Sequence, residues 1–322
     1  MRIAVEIGGT KLQAALGDAA GAVAHTVRCA SPAGEGAKAV RERVADLVRE
    51  VRDAAADPPE QVGIGFGGPV DGTTGRVIRS HQVAGWDDFD LAGWAADVTG
   101  LPTVVENDSN CAAVAEARLG AGRGVRRVLY MNVGSGIGGG FCLDGRLASG
   151  PLGGEIGHAW VWDADAARYA YLEDQCSGWA IARRARRASE ADPSGRLVAL
   201  AGGDPDAIDA PLVARAAEEG DPAAAGVLSD VAETLAVALA SASAVLDPDR
   251  LVVGGGVAGM GEVLFRRLRE ALARWAFPPQ AGRCAVVPAA MIEENVLVGA
   301  LLLEPPDRAV SFLHGSARPP VL

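Results

Sequence analysis

The sequence predicts an α/β protein of two domains, and a repeated local design is the main reason. Residues 2–7 read as an apolar strand that breaks at Gly8-Gly9-Thr10-Lys11 and resumes over 12–17. Residues 127–133 do the same, with a glycine-rich tip over 134–140 and a return strand over 141–147. Two hairpins of one kind in two halves point to a duplicated α/β unit with a ligand between the halves, each tip offering backbone N–H groups to a phosphate chain. Size agrees: 322 residues with a hydrophobic fraction of 49% can bury a core in each of about two domains.

The elements follow in order. At the first tip, glycines allow close backbone approach to an anion, and Thr10 and Lys11 add a hydroxyl and a cation, although an ordinary hairpin turn explains that tip equally well. Val40, Val44, Leu47, Val48 and Val51 recur at helical spacing, so residues 37–54 form an amphipathic helix that Asp57-Pro58-Pro59 stops. A strand over 62–66 ends in Gly67-Gly68-Pro69, a rigid loop whose backbone can touch a ligand or simply turn the chain. A loop over 79–86 carries Gln82 and Trp86 ahead of a helix near 91–99.

A strand over 102–106 then delivers Asn107 and Asp108 to the start of an Ala-rich helix ending near Leu119. There Asp108 or Ser109 can cap the helix, whose positive end favours an ionised carboxylate, while Asn107 offers both a donor and an acceptor. An ionised, fixed carboxylate is a usable base, although taken by itself the stretch is as well explained by a polar helix start.

The second tip is not a Walker loop, since no Gly-Lys-Ser or Gly-Lys-Thr closes it, and neither tip opens a helix as a dinucleotide fingerprint would. After it comes Gly154-Glu155-Ile156-Gly157-His158, a loop with a carboxylate and an imidazole three residues apart, and then Glu173 at a helix start. Residues 191–211 read as loop-rich, and 229–246 as a helix buried on nearly all sides. The last clear strand, 250–253, ends in Gly254-Gly255-Gly256, which permits either a flat ligand or tight strand-to-helix packing. A helix follows over 263–275, then a short apolar one over 295–303 and a Pro-rich tail.

The net charge of −11 argues against nucleic acid or an anionic membrane surface as the main partner. Cys29, Cys111, Cys142, Cys176 and Cys284 are scattered and odd in number, so they read as free thiols of a cytoplasmic protein. No signal-peptide pattern opens the chain, and no apolar stretch is read as a membrane span.

Taken together, Glu6 to Lys11, Glu106-Asn107-Asp108, residues 133–140, Gly154 to His158, Leu172-Glu173 with Ser177-Gly178, and Gly254 to Val257 resemble the bacterial glucokinase and sugar kinase family known as ROK. The resemblance runs to about Leu303. It implies an α/β, two-domain actin/hexokinase-like (ribonuclease H-like) fold with a ligand cleft between domains, the C-terminal helix returning to the first. The domains expected are 1–118 plus 294–322, and 119–293. It also implies ATP and Mg²⁺, and a homodimer is expected. Asp108 resembles the catalytic base; Gly68, Gln82, Asn107, Glu155, His158 and Glu173 fall at acceptor-binding positions. Gly9, Thr10, Lys11, Gly134, Ser135 and Gly136 match the phosphate loops, Gly255 and Gly256 the nucleoside side, and Glu6 an acidic position that reaches the metal through water.

Two departures stand out. Family members usually follow the Gly-Glu-x-Gly-His motif with a Cys-rich, zinc-binding segment, but residues 159–171 contain no cysteine, so no structural zinc is expected. Gln82 stands where the family typically has an Asn. The expected function is an ATP-dependent kinase acting on a hydroxyl of a sugar or sugar-like polyol, with an amino sugar or carbocyclic polyol as an alternative to glucose. A non-catalytic sugar-responsive regulator is disfavoured, because the first strand starts at residue 3 with no helix-turn-helix before it.

Overall fold

The first hairpin pairs β1 (Arg2–Ile7) with β2 (Lys11–Gly17), and β3 (Val23–Ala30) extends it antiparallel. A computed structural model of the chain describes residues 1–80, 83–148, 150 and 152–305. Helix α1 (Ala37–Asp53) buries the predicted stripe of Val40, Val44, Leu47, Val48 and Val51 against this sheet. On the other side of β1 lies β4 (Val62–Phe66), parallel to it. A small sheet of β5 (Val70–Asp71), β6 (Arg76–Val77) and β7 (Phe89–Asp90) precedes α2 (Leu91–Thr99) and β8 (Thr103–Asn107), which pairs with β4. The sheet order is β3-β2-β1-β4-β8. Its registers align Ile7 with Phe66 and Phe66 with Asn107, so three ligand-type motifs leave three parallel strands at one level.

The second unit opens with α3 (Asp108–Arg118), followed by β9 (Arg127–Val133), β10 (Ile137–Leu143) and β11 (Arg146–Leu147). Next come a two-stranded hairpin, β12 (Trp160–Asp163) and β13 (Arg168–Tyr171), and a helical layer of α4 (Leu172–Cys176), α5 (Gly178–Ser189), α6 (Arg196–Leu200), α7 (Ala210–Glu218) and α8 (Pro222–Leu246). β14 (Arg250–Gly254), α9 (Glu262–Trp275), β15 (Ala285–Pro288) and α10 (Asn295–Leu302) complete it. The sheet order, β11-β10-β9-β14-β15, repeats the plan of the first: a hairpin and its extension, then parallel strands.

Several expectations are corrected. The second tip is only residues 134–136, because the return strand begins at Ile137 rather than Phe141. Gly139 and Gly140 sit inside β10, where a Cβ would stand 2.5 Å from the Tyr130 carbonyl oxygen and 2.6 Å from Ala113 Cβ, respectively. These glycines serve packing, and one beneficiary is α3. Residues 191–211 are partly helical. α8 begins seven residues earlier than expected and is not buried all round: Val245 is 83% exposed, while Leu228, Leu235 and Leu239 point into the core. By length and composition α8 could cross a membrane, contrary to the expectation, yet it packs within this core against α5, α7 and α9.

The compact units are Met1–Asn107 with the chain from Ala300, and Asp108–Gly299. The expected divisions at 118/119 and 293/294 therefore move by several residues. α3 goes with the second unit because it lies on β9 and β10, and because Glu116, fully buried, accepts from the N–H groups of Ala121 (2.7 Å), Ala290 (3.1 Å) and Met291 (2.7 Å). Three bonds to one buried carboxylate tie α3 to the segment before α10. The last turn of α10 returns to the first unit: Arg2 Nη1 donates to the Leu301 carbonyl at 2.7 Å, and Gln61 Nε2 to that of Leu303 at 3.0 Å. Gly63 admits the Ala300 carbonyl so closely that any Cβ there would overlap it.

Candidate active site

In the first unit the sheet register assembles the motifs. Asn107 ends β8 and donates through Nδ2 to the Gly68 carbonyl at 3.0 Å, which fixes the side chain of one acceptor candidate against the loop of another. Further along the chain Trp86 is buried and stacked edge-on between Phe66 (5.1 Å) and Phe89 (5.4 Å), with the Arg41 guanidinium 4.3 Å from the Phe89 ring. Gln82 lies outside the described residues. At the first tip the Gly8 N–H closes the turn on the Lys11 carbonyl at 3.1 Å. Glu6 pairs with Lys11 (3.4 Å) and accepts from Gln13 Nε2 (2.6 Å) across the β1–β2 register. Its carboxylate is thus already compensated, which suits contact with a hydrated cation better than direct ligation. Sequence reasoning treated Glu6 and Lys11 as separate contributors and missed this pairing.

In the second unit the candidates gather around the beginning of β10. Asp108 opens α3, where the peptide dipole favours negative charge, and its Oδ1 accepts from the Ser109 N–H at 2.6 Å and hydroxyl at 3.2 Å. Ser109 sits so close to β10 that a Cβ at Gly138 would overlap its Oγ. The Glu155 loop lies on the same strand: Gly154 has φ +99°, and a Cβ there would strike the Gly139 carbonyl, as one at Gly157 would strike that of Ile137. His158 Nδ1 lies 3.3 Å from Glu155 Oε2, and the imidazole meets the Tyr171 ring edge-on at 5.2 Å. Glu173 Oε2 accepts from the Ile137 N–H at 2.9 Å. That bond braces the second tip, a task the sequence did not reveal.

The tip has two further supports. The Gly178 N–H donates to the Gly134 carbonyl at 2.7 Å, and Gly255 takes φ +80° beside Val133, where a Cβ would stand 2.5 Å from the Val133 carbonyl oxygen. Gly134, Gly136, Gly178 and Gly255 therefore form one backbone cluster of the kind that suits phosphate oxygens. Behind it Tyr130 donates to Asn132 Oδ1 (3.3 Å) and accepts from Asn295 Nδ2 (3.2 Å). Burial, with the charges of Glu116 and Asp108, raises its pKa above the ordinary tyrosine value, so the phenol stays neutral and keeps its donor.

Residues 159–171 are ordered as the β12–β13 hairpin, with Trp160 paired to Tyr171 and Trp162 to Tyr169. Asp163 Oδ1 caps its turn, accepting from Asp165 (3.0 Å) and Ala166 (3.1 Å). Among the described residues no group of three or more His, Cys, Asp or Glu side chains is placed to hold a metal ion. None of the five cysteines is in a disulfide; burial pushes the Cys142 and Cys176 thiols up to about 12 and Cys284 to about 11.

Comparison with known proteins bears on this arrangement directly. The model of the ROK family matches residues 2–306. This chain belongs to the ROK family. A glucokinase of Thermotoga maritima is 32% identical over 304 residues, covering 92% of this chain and 95% of its own. An N-acetylmannosamine kinase of Citrobacter koseri is 31% identical, covering 95% of this chain and 99% of its own. Among solved structures, a ROK family glucokinase from Streptomyces griseus in complex with glucose and AMPPNP superposes with a TM-score of 0.79 at 30% identity, over 93% of this chain and 97% of that one. The ROK fold is the two-domain, actin/hexokinase-like α/β type, as the resemblance implied.

Proposed function

We propose that this ROK protein is an ATP-dependent kinase that transfers the γ-phosphate to a hydroxyl of a sugar or sugar-like polyol, with Asp108 as general base. One observation supports this above the rest: around the first residues of β10, the second unit gathers Asp108, the Glu155–His158 loop, Glu173 and the glycine tip. A base, polyol-binding groups and a phosphate cradle are what such a transfer needs, since the reaction depends on positioning and charge stabilisation more than on covalent chemistry. The named sugar kinases among its relatives agree with it.

In this reading Asp108 takes the proton of the acceptor hydroxyl as its oxygen bonds to the γ-phosphorus and the bond to the β-phosphate oxygen breaks, leaving ADP. Asn107, Glu155, His158 and Glu173, with Gly68 and Gln82, hold the acceptor. Gly9, Thr10, Lys11, Gly134, Ser135 and Gly136 hold the phosphates, and Gly255 and Gly256 the nucleoside side. Mg²⁺ bound with the nucleotide would supply charge neutralisation, and Glu6 is the residue that would hold it, through water. The hairpin over residues 160–171 is ordered by side-chain pairs, so the reading includes no structural zinc. It also includes a homodimer in the cytoplasm.

The acceptor is a ring with several adjacent hydroxyls, better matched by an amino sugar or cyclitol than by glucose, because Gln82 and the aromatic hairpin change the rim of the family's pocket. Misfitted groups of this kind shift discrimination by about 1 to 3 kcal/mol each. ADP release over a panel of hexoses, amino sugars and cyclitols, with the phosphate position read by NMR, tests both levels. No turnover on any member removes the kinase; glucose as good as every other member returns a plain glucokinase.

A further inference from the structure

The β12–β13 hairpin carries four large aromatic side chains on one face. Trp160, Trp162, Tyr169 and Tyr171 alternate with Val161 and Ala170, which are buried in the core on the opposite face. The aromatic face is open: Trp160 is 64% exposed, Trp162 55% and Tyr169 66%. A hairpin this short is marginal alone, and cross-strand aromatic pairs are among the few contacts that can set its geometry. Trp160 packs on Tyr171 at 4.5 Å and Trp162 on Tyr169 at 5.4 Å.

The inner end of this ladder does not stop at the hairpin. The Leu172 N–H donates to the Ala159 carbonyl at 2.9 Å, closing the base of the hairpin so that His158 leaves one strand as Tyr171 enters α4 from the other. There the Tyr171 ring meets the imidazole edge-on at 5.2 Å, and it is the least exposed of the four at 38%. The imidazole is itself about half exposed and has Glu155 at its Nδ1. A half-exposed ring with a single ion-pair partner can swing about its side-chain torsions; a tyrosine backed by a tryptophan removes that freedom.

We propose that Tyr171, backed by Trp160, is a positioning residue for His158. The aromatic contact holds the imidazole with Nδ1 toward Glu155 and presents Nε2 to a hydroxyl of the acceptor. Tyr171 acts through His158 and does not itself touch the reacting atoms. This inference rests on His158 being an acceptor contact.

Steady-state kinetics on the best acceptor of the panel tests it. Tyr171→Ala and Tyr171→Leu are expected to raise the acceptor KM about three- to tenfold, the range open to one aromatic pair, with kcat and the KM for ATP little changed. Tyr171→Phe, which keeps the ring, restores the acceptor KM, and Trp160→Ala has a smaller effect of the same kind. In a His158→Ala background Tyr171→Leu adds nothing further. An unchanged acceptor KM in Tyr171→Leu with a normal melting curve overturns the proposal, as does an effect that persists undiminished without His158. If His158→Ala alone leaves the acceptor KM unchanged, the acceptor role of His158 fails first and this inference with it.

Discussion

The two units carry the same sheet plan but support their glycine tips differently. In the first, the Gly8 tip is closed by its own turn and by the Glu6–Lys11 pair, and from outside it takes only backbone N–H groups at its edges, Ser31 at the Thr10 carbonyl and Gly67 at that of Ile7, both 2.9 Å. In the second, the 134–136 tip is held from outside by Glu173 at Ile137, by the Gly178 N–H at Gly134, and by Gly255 against Val133. The feet of the sheets differ too. Arg2 and Gln61 hold the first through neutral carbonyl acceptors of residues 301 and 303, whereas Arg127 holds the second through Asp249 (2.7 Å) and Asp247 (2.6 Å). One local design can thus be held mainly by its own turn and its sheet neighbours, or by a tertiary cluster that includes a side chain and a packed glycine. The second hairpin also seats the start of the helix that carries the proposed base, since Ser109 rests on Gly138.

The sharpest test of that difference is the base. Asp108→Asn is expected to keep ATP and acceptor binding but lower kcat by at least about 10²-fold, the usual contribution of a positioned general base. Near-normal turnover, measured by ADP release, removes Asp108 from the chemistry.

Next is the outside support. Gly255→Ala combines a strained φ with a Cβ 2.5 Å from a carbonyl oxygen, so a loss of about 1 to 3 kcal/mol in urea denaturation is expected. Gly8→Ala, with its Cβ 3.0 Å from the Lys11 carbonyl and no positive φ, should lose less. Equal losses would erase the distinction between the tips.

A smaller effect separates two roles of Glu173. If it braces the tip, Glu173→Ala raises the KM for ATP about tenfold, because the Ile137 N–H loses its acceptor, while Glu173→Gln keeps an oxygen there and stays near wild type for ATP. Should both variants alter only the acceptor KM, the bracing role is absent.

The smallest effect concerns acid. Hydrogen bonding to Arg127 holds the Asp249 carboxyl below the usual carboxylate range, and Gln280 and then Arg127 do so for Asp247. Folded pKa values below the unfolded ones mean stability that is present above about pH 4 and lost as pH falls through the folded values. Both groups are exposed, so the contribution is small. Arg127→Gln should therefore narrow the drop in melting temperature between pH 5 and pH 3 by no more than about 2 °C. An identical pH profile in the two proteins places the acid sensitivity elsewhere.

Much of this was legible in the residues themselves. Apolar runs located β1 and β4 almost to the residue, because a strand buried on both faces reads as a continuous apolar run, and helical apolar spacing located α1, which buries one face against a sheet. The glycine runs announced backbone that must approach something, and the Asn107–Asp108 junction announced a carboxylate at a helix start. What the approaching object is cannot be read locally. Gly138 and Gly140 looked like part of a tip and are a floor for α3, and Glu173 looked like a ligand group and also ties β10. Glu116 gave no signal beyond a charge in an Ala-rich helix, since its three N–H partners lie on segments as distant as Ala290 and Met291. Periodicity and turn chemistry are set by neighbours along the chain, so the sequence alone determined elements such as β1, β4 and α1 and the positions where the two glycine tips begin. Close backbone approaches, the partners of buried carboxylates and the aromatic ladder ending at His158 join residues that meet only when the elements pack, and tertiary structure alone decided them.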